Sequence, residues 1–582
     1  MQPLTAEARN GDGGPDRRKR QVQGGRGAKR QRIRKEKPVK EGSSEEVLLE
    51  DVRALFAAQK LADTVTPADL ETTSSNSKEF PADAQISSTA NGDGDVESPP
   101  LGKVKLPDPF TEIEVKVTEI SSTGDGLAWD STSEQIYVVP FTAPGDTVKA
   151  KVIKHFRDSH YSLADFVSVV EPSPLRDDSR IRCKYFSKCS GCQFQMLYYD
   201  TQLQHKKTIV EKAYKNFSQL PPELVPPIDD TIGSPLQYGY RTKLTPHFDG
   251  PPGYRSRSLR KSGQKKGYEE IPEIGFMQKG TRKTMDIEDC PIGTEAVRLG
   301  MKRERVRVIQ ELDKYQKGAT ILLRESTRRV MNDSPASPTA TETPQDTVET
   351  TTTRYRDFKT CITDNNATTI EYVDDFVFTN PAGSFFQNNN SILPVFTQYI
   401  RDRIFPPPTS QESTAPKIKY LIDAYSGSGL FTITLSSLFT SSMGIDISIG
   451  SIEYARKNAE LNKLPSSQCT FIAADAPELF KSVTYPKDET VVVIDPPRKG
   501  CDESFLSQLL KFGPKRVVYV SCNVHTQARD VGVLVNGMGG AKYTIETLRG
   551  FDFFPQTGHV EGVAVLSKVD EGPGGTSTTP AY

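Results

Sequence analysis

Three short apolar runs, all in the last third of the chain, each end in residues that carry chemistry. Residues 420–423 precede the glycine turn 425–429, residues 491–494 precede Asp495-Pro496-Pro497-Arg498, and residues 516–521 precede Cys522. Such runs are typical of buried strands. Ligands of open α/β sheets lie beyond the carboxyl ends of the strands, so we predict one crevice in which Cys522 is a nucleophile. For Cys522 alone, a buried cysteine that only packs is the alternative.

The composition is that of a soluble chain with several domains. Its 582 residues are 26% charged and 35% hydrophobic, and no apolar run approaches the roughly 20 residues that a membrane-spanning helix requires. The amino terminus has no apolar signal-peptide core. Eight cysteines are too few for a disulfide scaffold in so long a chain. We therefore expect an intracellular protein without a membrane partner, whose cysteines bind metal or act in catalysis.

The amino-terminal residues 1–108 are predicted to be a disordered tail, first basic and then acidic. The net charge of -1 conceals this asymmetry, because residues 17–40 are dense in Arg and Lys while residues 45–97 are mostly acidic and polar. Such stretches offer little apolar surface to offset chain entropy. A second disordered tail is predicted at residues 570–582.

Two basic clusters in the amino-terminal tail, residues 17–20 and 29–32, are candidates for a nuclear address or an RNA-contacting arm. A solvated charge run is the alternative. Glu7, Asp12 and Asp16 argue against a mitochondrial presequence, which is poor in acidic residues. We expect the protein in the nucleus, the cytoplasm or both.

Residues 109–172 are predicted to form a small OB-like β-barrel. Residues 113–117 alternate apolar and charged side chains, and residues 135–139 and 148–153 are further strand candidates. Barrels of short strands often bind oligonucleotides. A spacer domain is the alternative.

Residues 173–378 are predicted to form a central α+β domain built around a metal centre. Its three closely spaced thiols and the best candidate for a fourth ligand are Cys183, Cys189, Cys192 and Cys290. Four thiolates are the usual ligands of closed structural centres, and zinc fits them about as well as an iron–sulfur cluster. Unrelated thiols are the alternative.

The same central domain carries basic, tyrosine-flanked stretches and a low-complexity insertion. The stretches are residues 238–243 and 254–266, and the insertion is residues 333–354. Arg and Lys neutralise a nucleic-acid backbone, while a tyrosine ring stacks on an unpaired base. We predict phosphate binding by residues 254–266; a basic surface loop without a ligand is the alternative.

Residues 379–569 are predicted to form a Rossmann-like, doubly wound domain that binds S-adenosylmethionine. The glycines Gly427 and Gly429 would let the backbone approach the amino-acid part of the cofactor, and Asp446 would accept hydrogen bonds from the ribose hydroxyls. A nicotinamide dehydrogenase uses a similar layout, but its fuller G-x-G-x-x-G pattern is absent here.

Four separated motifs complete the pattern of this domain. They are Ser384-Phe385-Phe386-Gln387-Asn388, Asp423-Ala424-Tyr425-Ser426-Gly427-Ser428-Gly429-Leu430-Phe431, Asp495-Pro496-Pro497-Arg498, and Ser521-Cys522-Asn523 followed by Phe554-Pro555-Gln556-Thr557-Gly558-His559-Val560-Glu561. Together they resemble the RNA uracil-5-methyltransferase family, closest to its eukaryotic tRNA members that methylate the T-loop uridine at position 54. The resemblance runs from about residue 110 to residue 568 and includes a barrel like the TRAM domain.

The resemblance implies a role for each matching residue. Cys522 would add to C6 of uracil, and Glu561 would remove the C5 proton after methylation. The positions that match cofactor contacts are Gln387, Tyr425, Asp446 and Asp495. In similar proteins the cysteine cluster holds a [4Fe-4S] centre. The implied partner is the T-arm of tRNA, with no protein partner and a monomeric enzyme.

Three further residues carry hypotheses about the reaction. A free thiol has a pKa of about 8.5, so Cys522 needs a positive neighbour to ionise, and Arg498 is our hypothesis for it. Phe385 or Phe386 is expected to stack on the extruded base, with core packing as the alternative for either ring.

Some positions depart from the family pattern, and other functions fit part of it. Leu430 stands where several relatives have an amide, Asp446 where many have glutamate, and Ser426 where many have cysteine. The alternatives are a ribosomal RNA uracil-5-methyltransferase, an RNA cytosine-5-methyltransferase and a non-catalytic tRNA-binding or folding protein. The second of these is disfavoured because residues 495–498 contain no second thiol.

Overall fold

The computed structural model describes residues 39–64, 105–252, 267–332, 346–405, 417–474 and 480–569. The two basic clusters, the stretch 254–266 and the tail 570–582 lie outside these residues. From Glu41 onward, the described residues belong to one compact unit. No helix in the described part of the chain is long and apolar enough to cross a membrane.

The first element, helix α1 (Ser44–Thr64), corrects the prediction that residues 1–108 form a disordered tail. Val52 and Leu55 are buried against the first sheet. Asp51, also buried, accepts hydrogen bonds from the backbone N–H of Ser122 at 2.5 Å and from its hydroxyl at 3.2 Å. The prediction was wrong here because the acidic average of residues 45–97 hid apolar positions at helical spacing.

The first sheet has six strands in the order β1-β5-β6-β4-β3-β2. Its strands are β1 (Glu112–Lys116), β2 (Glu119–Ile120), β3 (Gly126–Asp130), β4 (Gln135–Val139), β5 (Thr147–Phe156) and β6 (Tyr161–Glu171). The three strands predicted from sequence alternation are therefore confirmed as β1, β4 and β5. Strands β1 and β2 stand at the two ends of the order, and closure into an OB-like barrel stays a prediction.

The central segment is α+β, with short strands in small antiparallel sheets. Its helices are α2 (Tyr199–Phe217) and α3 (Glu295–Gln310), and its strands are β7 (Ile228–Ile232), β8 (Lys243–Leu244), β9 (His247–Asp249), β10 (Gly275–Met277), β11 (Thr284–Asp286), β12 (Gly318–Thr320), β13 (Leu323–Met331), β14 (Val348–Thr351), β15 (Tyr355–Ile362), β16 (Thr368–Val373) and β17 (Phe376–Pro381). Strand β14 lies inside the predicted insertion 333–354 and pairs with β15, which follows the insertion. Part of that insertion is therefore an edge strand.

The large sheet has eight strands in the order β20-β19-β18-β21-β22-β24-β23-β7. Its remaining strands are β18 (Tyr420–Ala424), β19 (Ser441–Asp446), β20 (Cys469–Ala473), β21 (Thr490–Ile494), β22 (Arg516–Ser521), β23 (Tyr543–Phe551) and β24 (Glu561–Lys568). Strands β18 to β22 are parallel, whereas β24 runs antiparallel to β22. Strand β7 pairs with β23, which corrects the predicted boundary at residue 378, because the central segment supplies the edge strand.

Helices cover both faces of the large sheet, as the doubly wound prediction requires. They are α4 (Leu393–Ile404), α5 (Leu430–Thr434), α6 (Ile449–Leu461), α7 (Glu503–Phe512) and α8 (Val524–Asn536). The core on one face holds apolar residues of α7 and α8, and the core on the other face holds those of α4, α5 and α6. The carboxyl ends of β18, β19, β21 and β22 therefore meet at one edge of the sheet, where all three sequence motifs end.

Candidate active site at the carboxyl edge of the large sheet

Cys522 and Glu561 are brought together by strand register. Ser521 of β22 pairs with Gly562 of β24 in the antiparallel ladder. Cys522 and Glu561 are the next residues along the two strands, and the charge of Glu561 is among the causes that raise the pKa of the Cys522 thiol. The Glu561 side chain is buried and Cys522 is half-buried. A thiol and a carboxyl from distant parts of the chain thus share one pocket.

The turn after β22 fixes Cys522 just before helix α8. Ser521 Oγ accepts a hydrogen bond from Asn523 N–H at 3.1 Å and donates one to Asn523 O at 3.0 Å. The Asn523 side chain caps the helix by accepting from His525 N–H at 3.2 Å. Cys522 consequently lies near the positive end of the helix dipole, which favours an ionised thiol.

Two hydrogen bonds tie the Asp495–Arg498 segment to the cysteine turn. The carbonyl oxygen of Arg498 accepts from Asn523 Nδ2 at 3.0 Å and from the hydroxyl of Thr526 at 3.2 Å. Arg498 itself is exposed. The guanidinium is thereby held at the rim of the pocket that contains Cys522.

The charges around Cys522 act in opposite directions. Burial raises the pKa of its thiol to about 12, and the carboxyls of Glu561 and Asp495 add to this rise, while the charge and a hydrogen bond of Arg498 lower the pKa. The contribution of Arg498 agrees in sign with the hypothesis for this residue. Without substrate, the net effect is a thiol pKa raised above its ordinary value.

The two carboxyls of the pocket are also shifted towards their neutral forms. Burial raises the pKa of Glu561 far above its ordinary value; Asp495 raises it further and Arg498 opposes the rise. Burial and the neighbouring Asp423 raise the pKa of Asp495. Cys522, Glu561 and Asp495 thus lie near a single guanidinium, that of Arg498. Ionisation of more than one of these three acidic groups at the same time is unfavourable.

The crevice beyond β18 and β19 has the features expected of a cofactor site. Asp446 accepts hydrogen bonds from Gly427 N–H at 3.0 Å and Ser448 N–H at 2.7 Å. A Cβ at Gly427 would meet open space. Among the described residues, Ser426 Oγ and Asp423 Oδ1 are buried without a hydrogen-bond partner. Open space beside unpaired polar atoms fits a polar ligand that hydrogen-bonds this turn.

Of the other predicted site residues, Tyr425 lies in this turn, while Gln387 and Phe386 lie in the segment that follows β17. Tyr425 adopts a left-handed φ of 65° at the start of the turn, and its ring lies 5.2 Å from that of Phe505. Gln387 is half-buried in the segment that follows β17. Phe386 is buried against Phe378, with ring centroids 5.5 Å apart, so core packing holds for this ring.

Phe385 behaves differently from its neighbour. Its side chain is 75% exposed. Of the two candidates, only Phe385 is accessible to a base.

The four predicted metal-ligating cysteines lie near one another as free thiols. Burial raises the pKa of Cys290 to about 12, and charges on Cys183 and Cys189 add to the rise. The pKa of Cys192 is raised by burial and then by Cys290. Even so, the described residues contain no group of three or more side chains placed to hold a metal ion. The sulfur atoms share a neighbourhood without a ligating arrangement, and the metal centre is not confirmed.

Asp530 is a supporting residue that the sequence did not reveal. It accepts hydrogen bonds from the Tyr519 hydroxyl at 2.6 Å and from Cys501 N–H at 2.7 Å. These bonds link helix α8, strand β22 and the end of the loop that begins at Asp495. Lone aspartates on helices are common, so no local sequence signal marks this one.

The sheet, the glycine turn after β18 and the acidic residue that ends β19 define the class of Rossmann-like methyltransferases. The family described as tRNA (Uracil-5-)-methyltransferase matches residues 374–569, and the TRAM domain matches residues 109–167. A tRNA (uracil(54)-C(5))-methyltransferase of Schizosaccharomyces pombe is 47% identical over 479 residues, which are 81% of each chain. The protein belongs to the tRNA (uracil-5-)-methyltransferase family.

Two further comparisons agree with this assignment. A Saccharomyces cerevisiae protein of the same name is 42% identical over 488 residues, covering 78% of this chain and 73% of the relative. The crystal structure of Pyrococcus abyssi tRNA (uracil-54, C5)-methyltransferase in complex with S-adenosyl-L-homocysteine superposes with a TM-score of 0.53. It is 24% identical and covers 78% of this chain and all of that one. This likeness supports the fold.

Proposed function

We propose that the protein transfers the methyl group of S-adenosylmethionine to C5 of uridine 54 in tRNA. The relatives at 47% and 42% identity carry this activity in their names. The observation that supports the proposal is the register of β22 and β24, in which Ser521 pairs with Gly562 and so brings their neighbours Cys522 and Glu561 near each other. That pair supplies a nucleophile and a base to one substrate ring.

The chemistry of uracil requires both groups. C5 of the ring is too weak a nucleophile to take a methyl group until electron density enters the ring. Cys522 adds its sulfur to C6, which places that density on C5 and O4. After the methyl group has been received, Glu561 removes the proton from C5, and the C6–S bond breaks to release the thiolate.

The raised thiol pKa in the pocket without substrate implies that Cys522 ionises only after the substrate binds. A proton-bearing Cys522 is a poor nucleophile, so the thiol must lose its proton after the RNA binds. Arg498 and the amino-terminal end of α8 both favour the thiolate. Addition to C6 then moves the negative charge away from Glu561, which eases ionisation of that carboxyl.

The crevice fits S-adenosylmethionine, which supplies an electrophilic methyl group when bound. Asp446 would accept from the ribose hydroxyls, and the unpaired Ser426 Oγ would hydrogen-bond the amino-acid part. Gln387, Tyr425 and Asp495 would complete the site, with Tyr425 beside the adenosine. Open space at Gly427 and the unpaired polar atoms of the turn support this assignment.

Phe385 would stack on the base that leaves the RNA helix. A modifying enzyme must take its target base out of the stack, and an exposed aromatic ring offsets part of the unstacking energy. The exposure of Phe385 supports this role, while the burial of Phe386 excludes that ring.

The test is methyl transfer from labelled S-adenosylmethionine to tRNA transcripts that contain or lack uridine 54. The wild type should label only the transcript with uridine 54, Cys522→Ala should label neither, and Cys469→Ala should act as the wild type because this thiol lies at the amino end of β20. A transcript with 5-fluorouracil at position 54 should form a stable adduct. Absence of label with intact cofactor binding would redirect the search to ribosomal RNA.

For the cysteine cluster we propose a structural [4Fe-4S] centre, with zinc as the alternative metal. The support is the mutual electrostatic influence of Cys183, Cys189, Cys192 and Cys290, all of which are half-buried. Metal content per chain, measured after anaerobic purification, should fall in Cys290→Ser and stay unchanged in Cys361→Ser. A metal-free wild type, or a stable Cys290→Ser with full metal, would refute the proposal.

A further inference from the structure

A polar cavity of about 170 Å³ lies between the central segment and the loop that leads into Glu561. We call it the junction pocket. Its lining includes the side chains of Arg180, Arg182, Gln195, Gln237, Tyr238 and Gln556. In the described part of the chain, the lining has two guanidiniums and no carboxylate.

Within the described residues, neither arginine of the junction pocket forms an ion pair with a carboxylate. The Arg180 guanidinium lies 4.8 Å from the ring centroid of Tyr198, and that of Arg182 lies 4.7 Å from the ring centroid of Tyr238. Arg180 Nε is buried and has no hydrogen-bond partner in the same part of the chain. Positive charge and an unpaired donor therefore remain for an anionic ligand.

The two carboxylates that precede Arg180 in the sequence are engaged elsewhere: Asp178 accepts a hydrogen bond from Arg176 Nη1 at 2.7 Å. Asp177 accepts hydrogen bonds from the hydroxyl of Ser179 at 2.6 Å and from its backbone N–H at 3.0 Å. The Ser179 hydroxyl is the main cause that lowers the pKa of Asp177, and the charge of Arg180 has a smaller effect in the same direction. Asp177 therefore does not neutralise the guanidinium by direct contact.

The walls of the pocket are fixed before any ligand arrives. Gln195 Oε1 accepts from the backbone N–H groups of Arg182 and Cys183, each at 3.1 Å. Gln556 accepts through its backbone oxygen from Gln193 N–H at 2.7 Å, and its side chain accepts from Gln202 at 3.1 Å. A preformed pocket loses little entropy when it binds.

The position of the pocket links it to the reaction. Gln556 lies in the loop between β23 and β24, and β24 begins with Glu561. Because β24 runs antiparallel to β22, this loop is on the same edge of the sheet as Cys522. An RNA strand whose base enters the active site would present neighbouring nucleotides to this edge.

We propose that the junction pocket binds one single-stranded nucleotide of the RNA substrate other than the target uridine. Arg180 and Arg182 bind its phosphate, Tyr238 contacts its base, and the amide of Gln237 hydrogen-bonds the base edge. Guanidiniums match phosphate geometry, and aromatic rings and amides are the usual contacts of unpaired bases. A cavity of about 170 Å³ is far too small for a duplex, so its occupant belongs to a single-stranded segment. The inference rests on the proposed function, since it assumes an RNA substrate.

The test compares Arg180→Gln/Arg182→Gln with the wild type by steady-state methylation of tRNA and by direct tRNA binding. We expect the KM and Kd for tRNA to rise about tenfold, with kcat and the affinity for S-adenosylmethionine unchanged. Arg403→Gln is the matched control. The Arg403 guanidinium also lies over a tyrosine ring, 5.4 Å from its centroid, but Arg403 is beside Arg516 at the amino end of β22, away from the junction pocket. Arg180→Lys/Arg182→Lys should recover part of the affinity, which a folding defect would not allow.

A second measurement identifies the nucleotide. Single methylphosphonates are placed at each phosphate of the T-loop in a set of tRNAs, and their binding is compared between the two proteins. One neutralised phosphate should weaken binding to the wild type and have no further effect on the double variant. Unchanged tRNA affinity in the double variant, or interference that is the same in both proteins, overturns the proposal.

Two further outcomes are distinguishable from these. Inhibition by inorganic phosphate that weakens in the double variant, without dependence on any single RNA phosphate, would show a general anion site and also overturn the proposal. Failure of the proposed function would appear separately, as a wild type that binds tRNA but transfers no methyl group.

Discussion

Cys522 is surrounded by groups that on balance raise the pKa of its thiol. Its pKa reflects a balance in which burial, Glu561 and Asp495 outweigh Arg498. The guanidinium of Arg498 lies near three acidic groups, Cys522, Glu561 and Asp495. Removing any one of these four side chains therefore changes the pKa values of the remaining acidic groups. The reactivity of the thiol therefore reports on the charge state of the whole pocket.

Arg498→Ala should make the thiol less reactive. Arg498 is the cation that lowers the pKa of Cys522, so its loss should reduce the rate of iodoacetamide alkylation at pH 8 by about threefold to tenfold, which corresponds to half to one pKa unit. The pH profile of alkylation measures this. Lys499→Ala, which removes the exposed neighbouring cation, should leave the profile unchanged. An unaltered thiol pKa in Arg498→Ala would contradict the hypothesis.

Glu561→Gln should stop the reaction after methyl transfer. Without a base, the C5 proton stays in place and the bond between Cys522 and C6 cannot break, so a covalent protein–tRNA complex accumulates. We expect turnover to fall by about 10²–10⁴. Denaturing gel electrophoresis with labelled tRNA measures the complex, and a variant that turns over at the normal rate would exclude Glu561 as the base.

Asp423→Asn should change how stability depends on pH. Burial raises the pKa of Asp423 to about 7, with a further contribution from Asp446. Native protein therefore binds this proton more tightly than unfolded protein does, and the associated stability, present below about pH 4, is lost as pH rises through 7. The Tm of the unliganded variant minus that of the wild type should thus increase between pH 4 and pH 8. The corresponding change in the difference in unfolding free energy is on the order of 2–4 kcal/mol. A difference in Tm that did not change with pH would show that the pKa of Asp423 is not raised in the folded protein.

The residues proposed to react could be named from the sequence, whereas some of those that support them could not. Cys522 and Glu561 belong to motifs whose spacing is carried by the sequence. Asp530 supports the same loop from helix α8 through two contacts that exist only after folding. A side chain whose role depends on tertiary contacts leaves no periodic trace in the sequence.

At the scale of elements, helix α1 links the amino-terminal segment to the catalytic edge. Asp51 joins the helix to the first sheet, and Gly42 O, just before the helix, accepts from Asn523 Nδ2 at 3.3 Å. The same asparagine side chain caps α8 and binds Arg498 O. One amide thus connects three segments beside Cys522.

Asp51→Ala should loosen helix α1. Its removal leaves the Ser122 N–H without its buried acceptor, which costs about 1–3 kcal/mol. Chemical denaturation and hydrogen exchange of residues 44–61 measure the effect. Glu50→Ala, which removes only an ion pair with the exposed Arg53, should change stability by less than about 0.5 kcal/mol. Equal effects of both substitutions would argue against a docked helix.

Strands were easier to predict than this helix. The apolar runs before Asp495 and Cys522 are continuous and buried, so their signal is strong. Helix α1 is apolar on one face only and stands in a polar stretch. Its stability comes from the sheet that it covers, and that partner is distant in sequence.

At the scale of the whole molecule, the central segment and the large sheet are joined by buried polar contacts. Lys206 of α2 forms an ion pair with Asp552, and both side chains are fully buried. Lys206 also donates to Phe554 O at 3.1 Å, and the Tyr199 hydroxyl donates to Asp552 at 2.9 Å. These contacts hold the loop that leads into Glu561.

Lys206→Met should destabilise the protein strongly and disturb this loop. An unpaired carboxylate left in the interior costs about 3–5 kcal/mol. Lys207→Met removes the neighbouring lysine, whose partner Asp230 is 88% exposed, and should cost no more than about 1 kcal/mol. Thermal unfolding and methylation rates measure both variants. A Lys206→Met enzyme as stable as Lys207→Met would show that the pair does not support the loop.

The domain boundary at residue 378 was wrong for a reason that applies to the whole chain. Strand β7 is only five residues long, and its sequence gives no indication that its partner is β23, far along the chain. Pairing at the edge of a sheet is a long-range property. Composition and periodicity therefore predicted the layers of the fold. They did not predict which segments of the chain contribute strands to the same sheet.

The raised pKa of Cys522 would also protect the thiol between turnovers. Peroxides and electrophilic metabolites attack thiolates far faster than thiols. A nucleophile that ionises only in the presence of its RNA is shielded from sulfenic acid formation during the intervals when no RNA is bound. The acidic surroundings that slow the first step thereby preserve the residue on which every later cycle depends.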